Sequence, residues 1–254
     1  MKRFTIIVFS CLLCAAALAQ SGTTGELSWS ISDRTLTISG KGAMPDYVWG
    51  GAPWFPYRNS FSNVILYEGI SSIGNNAFWN CIGLTSVVIP NSVITIGSAV
   101  FSFCRGLTSI SIPNSVTTIG DMAFSGCHGL TSVTIHSSVT NIGYGVFSDC
   151  ERLVFVTISN SLTNIPWRTF QGCLSLTSVT IPNSVTTIED SAFADCHNLT
   201  RITNLAAIPQ AVEANVFHGV NKAACVLRVP IASVAAYQAA KVWKEFRIEG
   251  IFMF

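Results

Sequence analysis

The residues best suited to chemistry are the cysteines, nine in 254 residues, and six of them keep a strict period. Cys81, Cys104, Cys127, Cys150, Cys173 and Cys196 recur every 23 residues, each three positions after a phenylalanine: Phe78, Phe101, Phe124, Phe147, Phe170 and Phe193. Thiols could pair as disulfides, collect a metal or act as nucleophiles. If successive units stack, neighbouring cysteines have Cα atoms about 4.8 Å apart with parallel Cβ vectors, so the Cβ atoms lie beyond the usual disulfide range of roughly 3.5–4.5 Å. A line of thiols cannot surround one tetrahedral ion. The spacing therefore predicts a ladder of buried free thiols that act as small hydrophobes.

The histidines offer no stronger constellation. His128 and His197 share a slot three units apart, about 14 Å on the same stacking estimate, too far to share a metal or a proton. Arg105, His128 and Glu151 fall in one slot of consecutive units and read as a solvated surface ladder with a weak ion pair. Serines and threonines are abundant but recur by position, with no paired His–Asp system beside them. No catalytic residue, metal ligand or cofactor is assigned, and an enzyme would lack a convergent acid, base or nucleophile.

These residues are positioned by a repeat, as in Leu107 to Cys127. Val87 and Ile89 alternate with Ser86 and Val88, the signature of a strand with one face inward. Pro90-Asn91-Ser92 then turns the chain, and Val93 and Ile96 return to the core. Gly97 permits a tight bend, and Ala99-Val100-Phe101 with Cys104 close the unit through a short helical or 3₁₀ segment. No unit can bury its own apolar positions, so the units must stack. A degenerate first coil runs from Phe61 to Gly74, and about eight coils would form a rod roughly 40 Å long. The expected fold is a β-rich solenoid, a right-handed stack of 23-residue coils.

Open ends need caps. Leu27, Trp29 and Ile31, then Leu36 and Ile38, alternate around Asp33-Arg34 as a β-hairpin, with aromatic cover from Pro53-Trp54-Phe55. After Thr203 the period fails: Phe217 comes after 24 residues and Val220 replaces cysteine. A strand from Cys225 to Val229, a helix from about Ser233 to Phe246 and an apolar tail from Ile251 to Phe254 are expected as an α/β cap. The domains are thus a signal segment 1–19, an N-terminal cap 20–60, the solenoid 61–203 and a C-terminal cap 204–254.

Lys2 and Arg3, an apolar run from Thr5 to Ala16 and the small-x-small Ala17-Leu18-Ala19 form a secretory signal pattern with cleavage near Ala19. A lipoprotein signal is the rival, given Cys11 and Cys14, although Leu13 before Cys14 is a poor fit. Export implies a periplasmic, secreted or cell-surface location. No later stretch reaches the roughly 18 apolar residues of a membrane helix. Removing Lys2 and Arg3 from the fourteen basic residues leaves twelve against thirteen acidic ones, so no basic surface calls for nucleic acid.

The units LTSISIPNSVTTIGDMAFSGC and LTSVTIPNSVTTIEDSAFADC resemble the BspA-like leucine-rich repeats of bacterial cell-surface proteins. TLTISGKGAM with APWFPYR, and VNKAACVLRVPIASVAAYQAAKVW, resemble the modules at the two ends of that family's arrays. The resemblance implies a leucine-rich-repeat fold on a secreted or surface-exposed bacterial protein, with family members implicated in adhesion to host matrix proteins and to other cells. It carries over no catalytic residue.

Function in a repeat protein is sought where the consensus is broken. The outward strand slot reads Ser86, Ser109, Ser132, Phe155, Ser178 and Arg201, with Phe155 as the departure. In a turn slot, Ser98 and Asp121 give way to Tyr144 and Trp167 before Asp190 restores polarity. With Arg152 and Arg168 nearby, residues 144–168 join aromatics to arginine, the composition of binding hot spots. The candidate ligand-binding residues are Tyr144, Arg152, Phe155, Trp167 and Arg168, and the partner would be an extracellular protein or glycan. Two alternatives stand beside this: drift of the repeat around Pro166, and a structural spacer or coat component with no tight ligand. The sequence leaves open whether Phe155 shares a face with Tyr144 and Trp167.

Overall fold

The computed structural model describes residues 20–252. The expected signal segment, residues 1–19, and the last two residues of the apolar tail lie outside them.

In every coil except that of Ser109–Ile112 a strand of three or four residues presents one face inward, and the 23-residue period sets the parallel register. Asn63 pairs with Ser86, Ser132 with Phe155 and Ser178 with Arg201. A second flank is built from shorter strands such as Thr95–Ile96 and Thr118–Ile119. Between these flanks Phe78, Phe101, Phe124, Phe147, Phe170, Phe193 and Phe217 form one buried column, with successive ring centroids 5.4–5.7 Å apart and planes within 16°. Such contacts add to the area each ring buries.

The third side is the segment expected to be short helix or 3₁₀. It is a ribbon of turns in which residues alternate between two bonding directions. Cys81, Cys104 and Cys127 donate their N–H groups to the phenylalanine three residues back, a 3₁₀-type bond. The residues between them donate to the next coil: Asn76 to Ser98, Phe78 to Val100 and Asn80 to Ser102, at 2.8–2.9 Å, and equivalent trios recur in the next four coils. The first and third members of each trio have positive φ, including Ala99 at 52°, Phe103 at 60°, Met122 at 51° and Arg168 at 56°. Left-handed residues interrupt any helix. For the members other than glycine, the cost of roughly 1–2 kcal/mol each is offset by satisfying three backbone donors per coil across the stack.

The N-terminal cap stands in for a missing coil. Gln20–Thr24, Leu27–Ser32 and Thr35–Gly40 form an antiparallel sheet whose last strand pairs in parallel with Asn63–Leu66. The hairpin turn is at Asp33 and Arg34 as expected, both at positive φ, and the strand Gln20–Thr24 is an addition to that expectation. In later coils the carbonyls of Ser98 and Val100 accept N–H groups from the preceding ribbon. Their counterparts in the first coil, Asn75 and Ala77, have no such ribbon before them. Tyr47 N–H serves Asn75 at 3.0 Å, and the buried indole Nε1–H of Trp54 serves Ala77 at 2.7 Å. Trp54 also stacks on Phe78 at 5.7 Å, extending the aromatic column.

The C-terminal cap corrects one expectation. Instead of a helix from Ser233 to Phe246, the chain forms a 3₁₀ turn at Ile231–Ser233, a helix at Val234–Ala239 and a second 3₁₀ turn at Trp243–Glu245. The helix stops because Ala240 is extended and Val242 takes φ 67°, which swings Trp243 into the core. There its indole donates to Gln210 O at 2.8 Å, and its ring meets the edge of Phe217 at 5.3 Å. Burial of Trp243 thus overrides the helix propensity of the alanine-rich stretch. Strands Val226–Pro230 and Arg247–Ile251 complete the sheet, so part of the expected tail is a strand.

The seven described cysteines are free and buried. They are more than small hydrophobes. Cys104 donates its S–H to the carbonyl of Phe78 in the coil before at 3.1 Å, and Cys127, Cys150, Cys173 and Cys196 repeat the contact at 3.2 Å. The same carbonyl already accepts the N–H of the turn, so the thiol uses its second lone pair. Burial pushes the thiols of Cys81, Cys127 and Cys196 up from 9.0 to about 12, and that of Cys225 to about 11.

Two outcomes test this account. Trp54→Phe keeps the stacked ring but removes the donor to Ala77, so stability should fall by about 1–3 kcal/mol, read from urea denaturation. The raised thiols give the second. Above pH 9 unfolded thiols ionise while the folded ones keep their protons, so stability should hold below about pH 8 and fall as pH rises from 9 towards 12. Replacing Cys127 and Cys150 by alanine should make that fall shallower in denaturation midpoints measured at pH 7, 9 and 10.5.

Candidate binding site

The turn slot just before the ribbon carries a second ladder, made by side chains. Asp46 Oδ1 accepts Asn75 N–H at 2.7 Å, Asn75 Oδ1 accepts Ser98 N–H at 2.6 Å, and Asp121 Oδ1 accepts Tyr144 N–H at 3.1 Å. Asp46, Asn75 and Asp121 thus each cap the coil that follows, while among the described contacts Ser98 makes no such bond to Asp121. Tyr144 has no group that could cap Trp167 in this way, and the ladder reverses. Trp167 N–H is held at 2.8 Å by Oε2 of Glu189, which reaches back from the next coil, while its Oε1 accepts Asn164 Nδ2–H at 2.6 Å. Glu189 stands where earlier coils have glycine, as at Gly97, Gly120 and Gly143.

Freed from capping, the two aromatic rings face outward. Tyr144 and Trp167 lie 5.6 Å apart with planes at 46°, 38% and 36% exposed. The guanidinium of Arg168 sits 4.1 Å above the Trp167 ring, a cation–π contact. Arg168 holds this place at φ 56°, as the first left-handed member of its ribbon trio. These three, with Met122, Ser148 and Asp149, line a shallow depression of about 350 Å³. Ser148 Oγ lies 3.1 Å from Asp149 Oδ2, so the rim offers an arginine, a carboxylate and a hydroxyl around an aromatic floor. That set can stack a flat apolar face and hydrogen-bond its polar edge.

Arg152 and Phe155 are placed elsewhere. Phe155 opens the strand Phe155–Thr157 on the long-strand flank, 62% exposed, between Ser132 and the coil of Ser178. Arg152 is exposed at the turn before that strand, and neither residue lines the depression. The five sequence candidates therefore separate into a cluster of three and two residues away from it. Glu189 and Asp149 were missed, although the loss of the glycine slot at Glu189 was visible in the repeat.

Other candidate chemistry stays dispersed. Arg105, His128 and Glu151 make no ion pair with one another among the described contacts. The structure does create a His–Asp contact that the spacing did not suggest, His218 Nδ1 to Asp195 Oδ1 at 3.3 Å, but the imidazole is 73% exposed. No described hydroxyl bonds to His218. Among the described residues, no three His, Cys, Asp or Glu side chains gather as a metal site, and no helix is long and apolar enough to cross a membrane.

Parallel coils of 23 residues, a continuous phenylalanine column and a cap at each end define a leucine-rich-repeat solenoid. The sequence pattern described as BspA type Leucine rich repeat region matches in six copies over residues 71–200, and the chain belongs to that family. Two solved structures share the fold. The leucine-rich repeat protein TpLRR of T. pallidum is 24% identical, with a TM-score of 0.54 over 71% of this chain and 91% of that one. A leucine-rich repeat protein from Bacteroides ovatus ATCC 8483 is 21% identical, with a TM-score of 0.55 over 89% of this chain and 67% of that one. A comparison with curated proteins gives no match.

The reversed cap is testable on its own. Glu189→Ala leaves Trp167 N–H and Asn164 without their acceptor and should cost about 1.5–3 kcal/mol, as for hydrogen bonds to a charged group. Glu189→Gln, which keeps an acceptor oxygen, should recover part of that loss in thermal unfolding.

Proposed function

We propose that this protein is exported and acts as a non-catalytic binding module at or beyond the cell surface, holding an extracellular protein or glycan at the Tyr144–Trp167–Arg168 depression. The observation that carries the reading is the reversed capping ladder. A regular polar slot is given up for two outward aromatics, and a carboxylate is supplied from the following coil to make the exchange tolerable. Departures from a local rule that come with compensation are expected at functional sites. Aromatic residues and arginine are also the side chains enriched where binding energy concentrates.

Export is supported by the signal pattern of residues 1–19 and by the family's surface proteins. The absence of catalysis is supported by the dispersal of the titratable groups. A second reading, a spacer or coat component without a tight ligand, draws support from the plain Ser/Thr face of the long strands, where Ser86, Ser109, Ser132, Thr134 and Thr157 lie exposed.

The two readings separate in capture experiments on immobilised matrix proteins, mucin glycans and the envelope of the producing cell. Trp167→Ser with Arg168→Ala should weaken capture at least tenfold with thermal unfolding little changed, whereas Phe155→Ser should not. Loss of capture in Phe155→Ser alone would move the site to the long-strand flank. Capture by none of these surfaces would favour the spacer.

A further inference from the structure

A second aromatic platform lies at the N-terminal end of the same ribbon. Trp49 stacks on Trp79 at 5.8 Å with planes 13° apart, and Trp79 stacks on Phe55 at 5.8 Å and 23°. Three rings thus form a pile with Trp79 in the middle. Trp49 ends the pile, and it is 71% exposed. Its position is fixed by a tight turn in which Gly51 N–H donates to Val48 O at 2.8 Å. Gly50 sits in that turn at φ 74°, where a Cβ would meet the Phe55 ring at 3.0 Å. Trp79 is itself a departure from the repeat, since Ser102, Ser125 and Ser148 fill its slot as buried residues in the next three coils.

We propose that the Trp49–Trp79–Phe55 pile is a binding site for a neutral pyranose, and that with the Tyr144–Trp167 depression it holds a neutral glycan chain along the ribbon. The class of ligand follows from what the platform offers and lacks. One rigid, open indole face accepts a flat, weakly polar surface, which the axial C–H face of a pyranose supplies while its hydroxyls stay in water. A strand of nucleic acid would need cations for its phosphates, and the nearby Arg58 is already seated 4.3 Å over Phe55. A quaternary ammonium would need several aromatic walls, and a single face is open.

The chain-like character of the ligand follows from the spacing. The ribbon of Trp79 and that of Trp167 are four coils apart, about 22 Å at the step of the phenylalanine column. The coils between present Phe103, 39% exposed, and Met122, which lines the Tyr144–Trp167 depression. One coil step is comparable with the length of one sugar ring, so a linear polysaccharide could meet an apolar residue at successive coils. Two linked weak contacts would add through effective concentration. This inference rests on the binding role proposed for Tyr144 and Trp167 and adds a ligand class and a second site.

The test is affinity electrophoresis of the full chain in native gels containing hydroxyethylcellulose, glycol chitin, mannan or dextran, beside a column of immobilised poly-L-proline. At least one polysaccharide should retard the protein, Trp49→Ala should abolish most of the retardation, Trp49→Phe should restore part of it, and Trp167→Ser should reduce it several-fold. Retardation of Trp49→Ala equal to wild type would overturn the proposal, as would passage of the wild type unretarded through all four gels. Retention on poly-L-proline alone would assign the platform to a peptide and overturn it too. Loss of retardation in Trp49→Ala but not in Trp167→Ser would keep the N-terminal site and refute the central one. Capture on matrix protein that survives Trp49→Ala but not the Trp167 and Arg168 changes would leave the central site standing alone.

Discussion

A single coil of this protein cannot satisfy its own backbone. On the strand flanks and along the ribbon, N–H and C=O groups find their partners one period away, and the apolar side chains are covered only by the coil above and below. Every other feature answers that dependence. The phenylalanine column keeps neighbouring coils in lateral register, the thiols take up a spare lone pair on the bend of the preceding coil, and each cap ends the stack with tryptophan. Trp54 does this by hydrogen-bonding to Ala77 and stacking on Phe78. Trp243 does it with an edge against Phe217.

The period itself was legible because phenylalanine and cysteine cannot drift: each fills one slot in a column that extends through neighbouring coils. The same logic made the contact between Tyr144 and Trp167 readable, since residues 23 apart share a slot on adjacent coils. The ribbon was not readable in this way. Most of its left-handed positions carry glycine, asparagine or aspartate, as at Asn76, Asn80, Gly126, Gly145, Asp149 and Gly172, but Ala99, Phe103, Met122 and Arg168 break that local preference because the bonds that enforce them run to another coil. The broken C-terminal helix has a similar origin: its alanines favour a helix, and the burial of one distant indole decides otherwise.

The binding surfaces divide along the same line. Phe155 and Trp167 are close in sequence but belong to different flanks of the coil, a separation that depends on how the turns between them fold. Trp49 and Trp79 meet across thirty residues, one of them in a cap that lies outside the repeat, so no period brings them together on paper. Both aromatic sites arise where a small or polar slot has been surrendered. In each case a neighbouring group accommodates the change, Glu189 for Trp167 and, for Trp79, the Val48–Gly51 turn that seats Trp49 against it.

The direction of the ribbon bonds has one more consequence. All three donors of a trio point towards the C-terminal end, so one face of any coil's ribbon offers acceptors and the other offers donors. Two copies brought end to end could continue this ladder only head to tail, a heterologous join that propagates as a fibre unless it closes into a ring. Seen this way, Trp54 and Tyr47 are terminators. By taking the carbonyls of Asn75 and Ala77, two of the three acceptors on that face, they deny a second molecule most of the seat on which a filament would grow.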